Sequence, residues 1–220
     1  MSIPGLGWAN LPKSFFQNGV RSYKIAFELH AESRQKLVTE MASRGIASGV
    51  VLLQGGEEQN QYDTDTELVF RQDSWFNFLW GVREPGFYGA IELSSGKTTL
   101  FCPELPDSYR IWCGEIKSCE YFRTNYSVDN VLYTQSLPQW LTETLTSRGG
   151  KVYLLEGENS DSGLRAKPAH FDGIEALAEQ IDLVVLHHAL STARVIKSTV
   201  EIEAMRYAAL VASNAHVEVK

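Results

Sequence analysis

The feature that most limits what this chain can fold into is a pair of β-prone runs, residues 87–93 and 98–101, separated by Ser94-Ser95-Gly96-Lys97. Small turn-forming residues between two such runs predict a hairpin. Pro103 and Pro106 follow, and neither can donate to a sheet ladder, so the second strand must stop near Cys102. Upstream, residues 75–80 form an almost unbroken aromatic and apolar run. It is short and rich in residues that favour a pleated surface, and we read it as a buried strand. Gly81 ends that run and Glu84-Pro85-Gly86 reverses the chain. The expectation is a three-stranded centre to a sheet.

Residues 50–53, Val-Val-Leu-Leu, predict another buried strand, ended by Gly55-Gly56. A helix is expected over residues 23–44. Phe27, Leu37 and Met41 fall near helical spacing, Glu28, Glu32, Arg34 and Lys36 supply polar faces, and Arg44-Gly45 closes it. After the hairpin the pattern alternates. Short helices are expected over 107–113 and 117–126, a strand over 131–133, a helix over 137–146 with Pro138 in its first turn, and a strand over 151–155. A polar loop over 158–169, a helix near 174–178 and an apolar segment at 183–186 complete it. Alternating strands and helices around an antiparallel hairpin imply an α/β fold: a three-layer domain with a central mixed sheet flanked by helices.

Residues 1–20, with Pro4, Gly5, Gly7 and Pro12, read as an arm whose Trp8, Phe15 and Phe16 dock somewhere. The domain then covers 21–193. From 194 the character changes: Ser198 and Glu201 have capping-box spacing, and Ile202, Met205, Ala209 and Leu210 form an apolar stripe that reaches Lys220 without a stop signal. We read 194–220 as a junction and the first helix of a further domain.

A net charge of -7 without any Lys/Arg block excludes the electrostatic footprint of a nucleic-acid or anionic-membrane binder. Cys102, Cys113 and Cys119 form no C-x-x-C pair and predict free thiols in a reducing compartment. No leader-like start and no long apolar run is present, so a cytoplasmic location is expected. The sequon at Asn125 has no meaning without export.

Several residue groups have the chemistry of a site. Gly55-Gly56 lacks a following Lys-Ser/Thr and precedes acidic residues, which argues against a phosphate loop. His187-His188 are adjacent, so their rings diverge on either a helix or a strand and do not suit one metal. Ser160, Asp161, Ser162, His170 and Asp172 lie close together but lack a nucleophile elbow. Asp63, Asp65 and Glu67 lack the glycine and terminal glutamate of a calcium loop. Each is read as structural or solvated, leaving no catalytic residue and no metal ligand.

Phe70-Arg71-Gln72-Asp73-Ser74, with Phe76, Leu79, Gly81 and Glu84-Pro85, resembles the amino-terminal signature of the creatinase, aminopeptidase P and prolidase family of metallopeptidases. Residues 50–58 and Gly96-Lys97-Thr98-Thr99-Leu100-Phe101 are more similar to its prolidase branch, the Xaa-Pro dipeptidases. Arg194-Val195-Ile196-Lys197-Ser198, with Glu201-Ile202 and Met205, resembles the passage into that family's second domain. The resemblance spans roughly residues 14–220. It implies the non-catalytic first domain of a homodimeric peptidase, which shapes the pocket for an Xaa-Pro dipeptide. It also implies a second, pita-bread domain holding two divalent metals, usually manganese, on two Asp, one His and two Glu. None of those ligand motifs is in this chain, so the segment alone is expected to bind no catalytic metal and to hydrolyse nothing.

The resemblance further implies a role for Trp112, in the loop after Phe101-Cys102-Pro103-Glu104-Leu105-Pro106. It would reach across the dimer and cover the partner's substrate pocket; the alternative is local packing. Two other readings stay open. One is aminopeptidase P, which shares the Arg-Gln-Asp-Ser motif and accepts longer peptides. The other is a peptidase-like module that has lost catalysis and recognises proteins.

Overall fold

The computed structural model describes residues 15–17, 19–20 and 22–219, so Trp8 and most of the expected arm lie outside the described residues. A short antiparallel pair, β1 (Phe15–Phe16) and β2 (Ile25–Ala26), leads into α1 (Glu28–Ser43). Then come β3 (Val50–Gln54), α2 (Ser74–Trp80) and the hairpin of β4 (Tyr88–Glu92) and β5 (Thr98–Cys102). Helices α3 (Tyr109–Cys113) and α4 (Cys119–Tyr126) precede β6 (Asn130–Tyr133), α5 (Leu137–Arg148) and β7 (Val152–Leu154). The stretch read as a polar loop contains a small hairpin, β8 (Gly157–Glu158) with β9 (Arg165–Ala166). A 3-10 turn over Ile174–Gln180, β10 (Ile181–Asp182), α6 (Val185–Val195) and α7 (Thr199–Val219) end the described chain.

The main sheet runs β10-β7-β3-β4-β5-β6. It is mixed: β3, β4 and β5 pair antiparallel, while β10 with β7, β7 with β3, and β5 with β6 run parallel. Central β3 is covered on both faces, which explains its unbroken apolar run. Val51 and Leu53 face a cluster that includes Leu37 and Met41 of α1, Phe76 and Trp80 of α2, Phe122 of α4 and Leu190 of α6. Val50 and Leu52 face Leu137, Leu141 and Leu145 of α5. Burying each such side chain contributes about 1.5–3 kcal/mol. The expected three-layer α/β architecture is therefore what forms.

Residues 75–80 are not a strand. Asp73 caps the N-terminus of α2, its carboxylate accepting from the Trp75 and Phe76 amides at 2.9 Å each. Gly81 closes the other end at φ 63, its N–H donating to Asn77 O at 3.0 Å. Between the caps, Phe76, Leu79 and Trp80 have helical spacing and are the buried members of the run. The centre of the sheet is β3, β4 and β5 instead. Trp80 packs against β4, where a Cβ at Gly89 would overlap its indole.

Arg34, expected on a polar face of α1, is only 4% exposed. Its guanidinium sits over the Trp80 ring at 5.1 Å and donates to Leu79 O and Ser127 O, both at 2.9 Å. Those carbonyls lie at the C-terminal ends of α2 and α4, where helices carry acceptors without intrahelical partners. His30, one turn earlier, points Nδ1 at Phe78 O, 3.1 Å away, and is held in the tautomer that donates from Nδ1. Burial lowers the His30 pKa to about 4; nearby Arg34 lowers it further, while the Phe78 hydrogen bond and Glu201 oppose the shift.

The junction docks on this layer. Lys36 pairs with Glu201 at 2.8 Å, and Glu201 also accepts from the Ser198 amide at 2.8 Å, so the expected capping box forms. Arg194 covers Trp75 at 4.6 Å, and Tyr207 stacks on Tyr23 at 4.8 Å.

Two predictions test this layer. Arg34→Met removes both charge-assisted bonds while keeping bulk, and is expected to cost about 3 kcal/mol, seen as a lower urea midpoint at unchanged slope. A wild-type midpoint would show that neither carbonyl needs the guanidinium. Because His30 titrates lower folded than unfolded, the unfolded chain binds the extra proton between the two pKa values. Its contribution is therefore fully present above about pH 6.5 and lost as pH falls toward 4, about 3 kcal/mol in all. His30→Gln should flatten that part of the stability curve; an equally steep curve would clear His30.

Candidate functional site

The signature residues around position 72 prove to be structural. Gln72 Oε1 accepts from the Gly56 amide at 2.6 Å, while its Nε2 donates to Val82 O and Glu84 O at 3.2 Å. One amide side chain thus ties the loop after β3 to the Glu84-Pro85-Gly86 turn. The Gly86 amide donates back to Gly56 O at 2.9 Å. Tyr126 of α4 donates its hydroxyl to Glu84 Oε2. Burial, then the nearby Glu84, raises the Tyr126 pKa above the usual phenol range, so the group remains a donor.

This fastening forms one wall of a cavity of about 390 Å³. Phe87 and Phe122, in edge contact at 5.1 Å, make its apolar side with Pro85, Pro103 and Leu105. Glu57, Glu58, Glu84 and Glu115 lie at its polar side. The opposite wall is the segment 103–117, which contains α3. That helix has five residues, none buried, and ends at Gly114 with φ 80. Trp112 projects from it 86% exposed, so the indole is not packed into its own chain.

The cavity places apolar contact beside carboxylates, and Tyr109 and Cys113 of the helix that carries Trp112 line it. Such a surface can exclude water from an apolar ring and hold a polar group at the edge. No local pattern announces that Phe87 and Phe122 meet there. Only the fold joins the turn after α2 to one face of α4.

The other weighed residues are dispersed. His187 meets Trp75 edge-on at 5.3 Å, and the His188 ring lies 6.0 Å from it at 75°. The Ser162 hydroxyl donates to Asn159 within the β8–β9 turn, whereas His170 and Asp172 line a separate cavity with Gln54 and Tyr88. Asp63 and Asp65 are exposed in a loop closed by the Asn60–Glu67 bridge. Among the described residues no three His, Cys, Asp or Glu side chains gather to hold a metal ion. No described helix is long and apolar enough to cross a membrane.

A family model described as the N-terminal domain of aminopeptidase P matches residues 30–153. The Xaa-Pro dipeptidase of Mus musculus is 41% identical over 214 residues, 96% of this chain and 42% of that protein. That of Homo sapiens is 40% identical over 207 residues, 93% and 41% respectively. The chain therefore spans about two-fifths of the length of these relatives. Among solved structures, the aminopeptidase PepP of Pseudomonas aeruginosa superposes with a TM-score of 0.65 at 25% identity, covering 88% of this chain and 44% of that one. Aminopeptidase P of Escherichia coli shares the fold, with a TM-score of 0.51 at 20% identity over 78% of this chain and 33% of that one. With most of the six-stranded mixed sheet inside the matched region, and with relatives this similar across nearly its entire length, the chain belongs to the aminopeptidase P family through its N-terminal domain.

Proposed function

We propose that this chain is the non-catalytic first domain of a cytoplasmic, homodimeric, metal-dependent Xaa-Pro dipeptidase, and that it shapes the substrate pocket of the partner subunit. The observation that carries the reading is Trp112, an indole left 86% exposed on a short helix beside an apolar cavity, in a chain 40–41% identical to Xaa-Pro dipeptidases. A peptide bond before proline has no amide hydrogen, so recognition must lean on the shape of the ring rather than on that donor. A flat indole closing over the ring answers this need and keeps water out. Two divalent metals, manganese in this reading, would lower the pKa of a bound water and polarise the scissile carbonyl. In this reading a second domain supplies their ligands, which is in keeping with a chain that spans 42% of the Mus musculus relative. Aminopeptidase P remains the second reading, favoured by the matching family model.

In the full-length protein, Trp112→Ala should lower kcat/KM for Xaa-Pro dipeptides about tenfold to a hundredfold, with Trp112→Phe intermediate. Unchanged kcat/KM in the alanine variant would remove the indole from the pocket. Comparing Xaa-Pro with Xaa-Pro-Yaa substrates separates the readings: preference for the dipeptide supports the first, and efficient cleavage of the tripeptide the second. The 220-residue segment on its own should bind no manganese at stoichiometry and show no turnover; hydrolysis by the purified segment would overturn the division of labour.

A further inference from the structure

The sulfurs of Cys102 and Cys119 lie 3.6 Å apart, although the residues are 17 positions apart in sequence and belong to no C-x-x-C motif. Rigid elements hold each one. Cys102 is the last residue of β5 and pairs in register with Tyr133 of β6. Cys119 is the first residue of α4, whose N-cap Ser118 accepts from the Tyr121 amide at 3.2 Å. The contact is therefore set by the sheet and a capped helix rather than by the segment between them. Sulfurs in a disulfide are about 2.05 Å apart, so closure must bring this pair roughly 1.5 Å nearer.

We propose that Cys102 and Cys119 are a reversible oxidation site, closing to a disulfide that ties together the two ends of the Trp112-bearing segment. The two thiols differ in exposure. Cys119 is half-buried and meets the oxidant first, whereas Cys102 is buried. Burial, reinforced by the Cys119 contact, pushes the Cys102 pKa up to about 12, so it waits as the thiol. Hydrogen peroxide oxidises the Cys119 thiol to a sulfenic acid and releases water. The Cys102 sulfur then attacks the Cys119 sulfur, the S–O bond breaks, and the hydroxyl leaves with the Cys102 proton as a second water. Two thiols lose two electrons in all, and one peroxide gains them. A dithiol reductant reverses the bond by exchange. The closed loop contains α3 and the cavity wall of Pro103, Leu105 and Ile116. The inference does not depend on the peptidase reading.

The test is peptide mapping of the full-length protein after mild peroxide treatment. Trypsin cuts after Lys97, Arg110, Lys117 and Arg123, which places the three cysteines on three separate peptides. The expected result is the Cys102 peptide joined to the Cys119 peptide, lighter by two hydrogens and separated again by dithiothreitol. Cys113→Ser should leave this unchanged. Cys102→Ala should expose Cys119 to roughly tenfold more sulfinic acid at equal peroxide. Should Cys102→Ala fail to fold, Cys119→Ser serves in its place and should leave Cys102 unoxidised. Recovery of unlinked Cys102 and Cys119 peptides from oxidised wild type, or linkage only through Cys113, would overturn the proposal.

Discussion

The helical layer on the α1 side of the sheet depends on one buried cation. Arg34 fastens α1 to the C-terminal ends of α2 and α4 through Leu79 O and Ser127 O, and covers Trp80 with the same group. Helix ends collect partial negative charge, and a guanidinium offers several donors in one plane, so one side chain can serve two of them. Burial lowers the Arg34 pKa to about 10, still far above neutrality, so the charge persists in the core. What α2 and α4 then support is the cavity: Gln72 and Tyr126 anchor its turn from opposite sides.

The sheet was largely legible in the sequence because its signals are local. The Ser94–Lys97 break produces the hairpin, Val50 to Leu53 produce the central strand, and Pro138 marks the first turn of α5. At residues 75–80 the aromatic content favours a strand, but the caps decide for a helix. Asp73 and Gly81 bracket a two-turn helix, and side chains that favour strands still form one when a helix places Phe76, Leu79 and Trp80 in the core. Arg34 was misplaced for a different reason: its acceptors lie 45 and 93 residues away, and no local pattern contains them.

The candidate site was legible only in part. Trp112 is singled out by family resemblance alone, and in the fold it lies exposed on α3. The cavity beside it draws on residues from 57 to 122, contributed by loops whose meeting depends on sheet order. The cysteine contact was equally hidden, since spacing rules look for neighbours and this pair is joined by β5 and α4.

The contact between Trp80 and Gly89 binds two distant positions into one unit of variation. With an indole occupying the space of a Cβ, a larger residue at 89 requires a smaller one at 80, and neither change alone leaves the layers at their present spacing. Compensating pairs, rather than single exchanges, are thus the route by which this interior can drift.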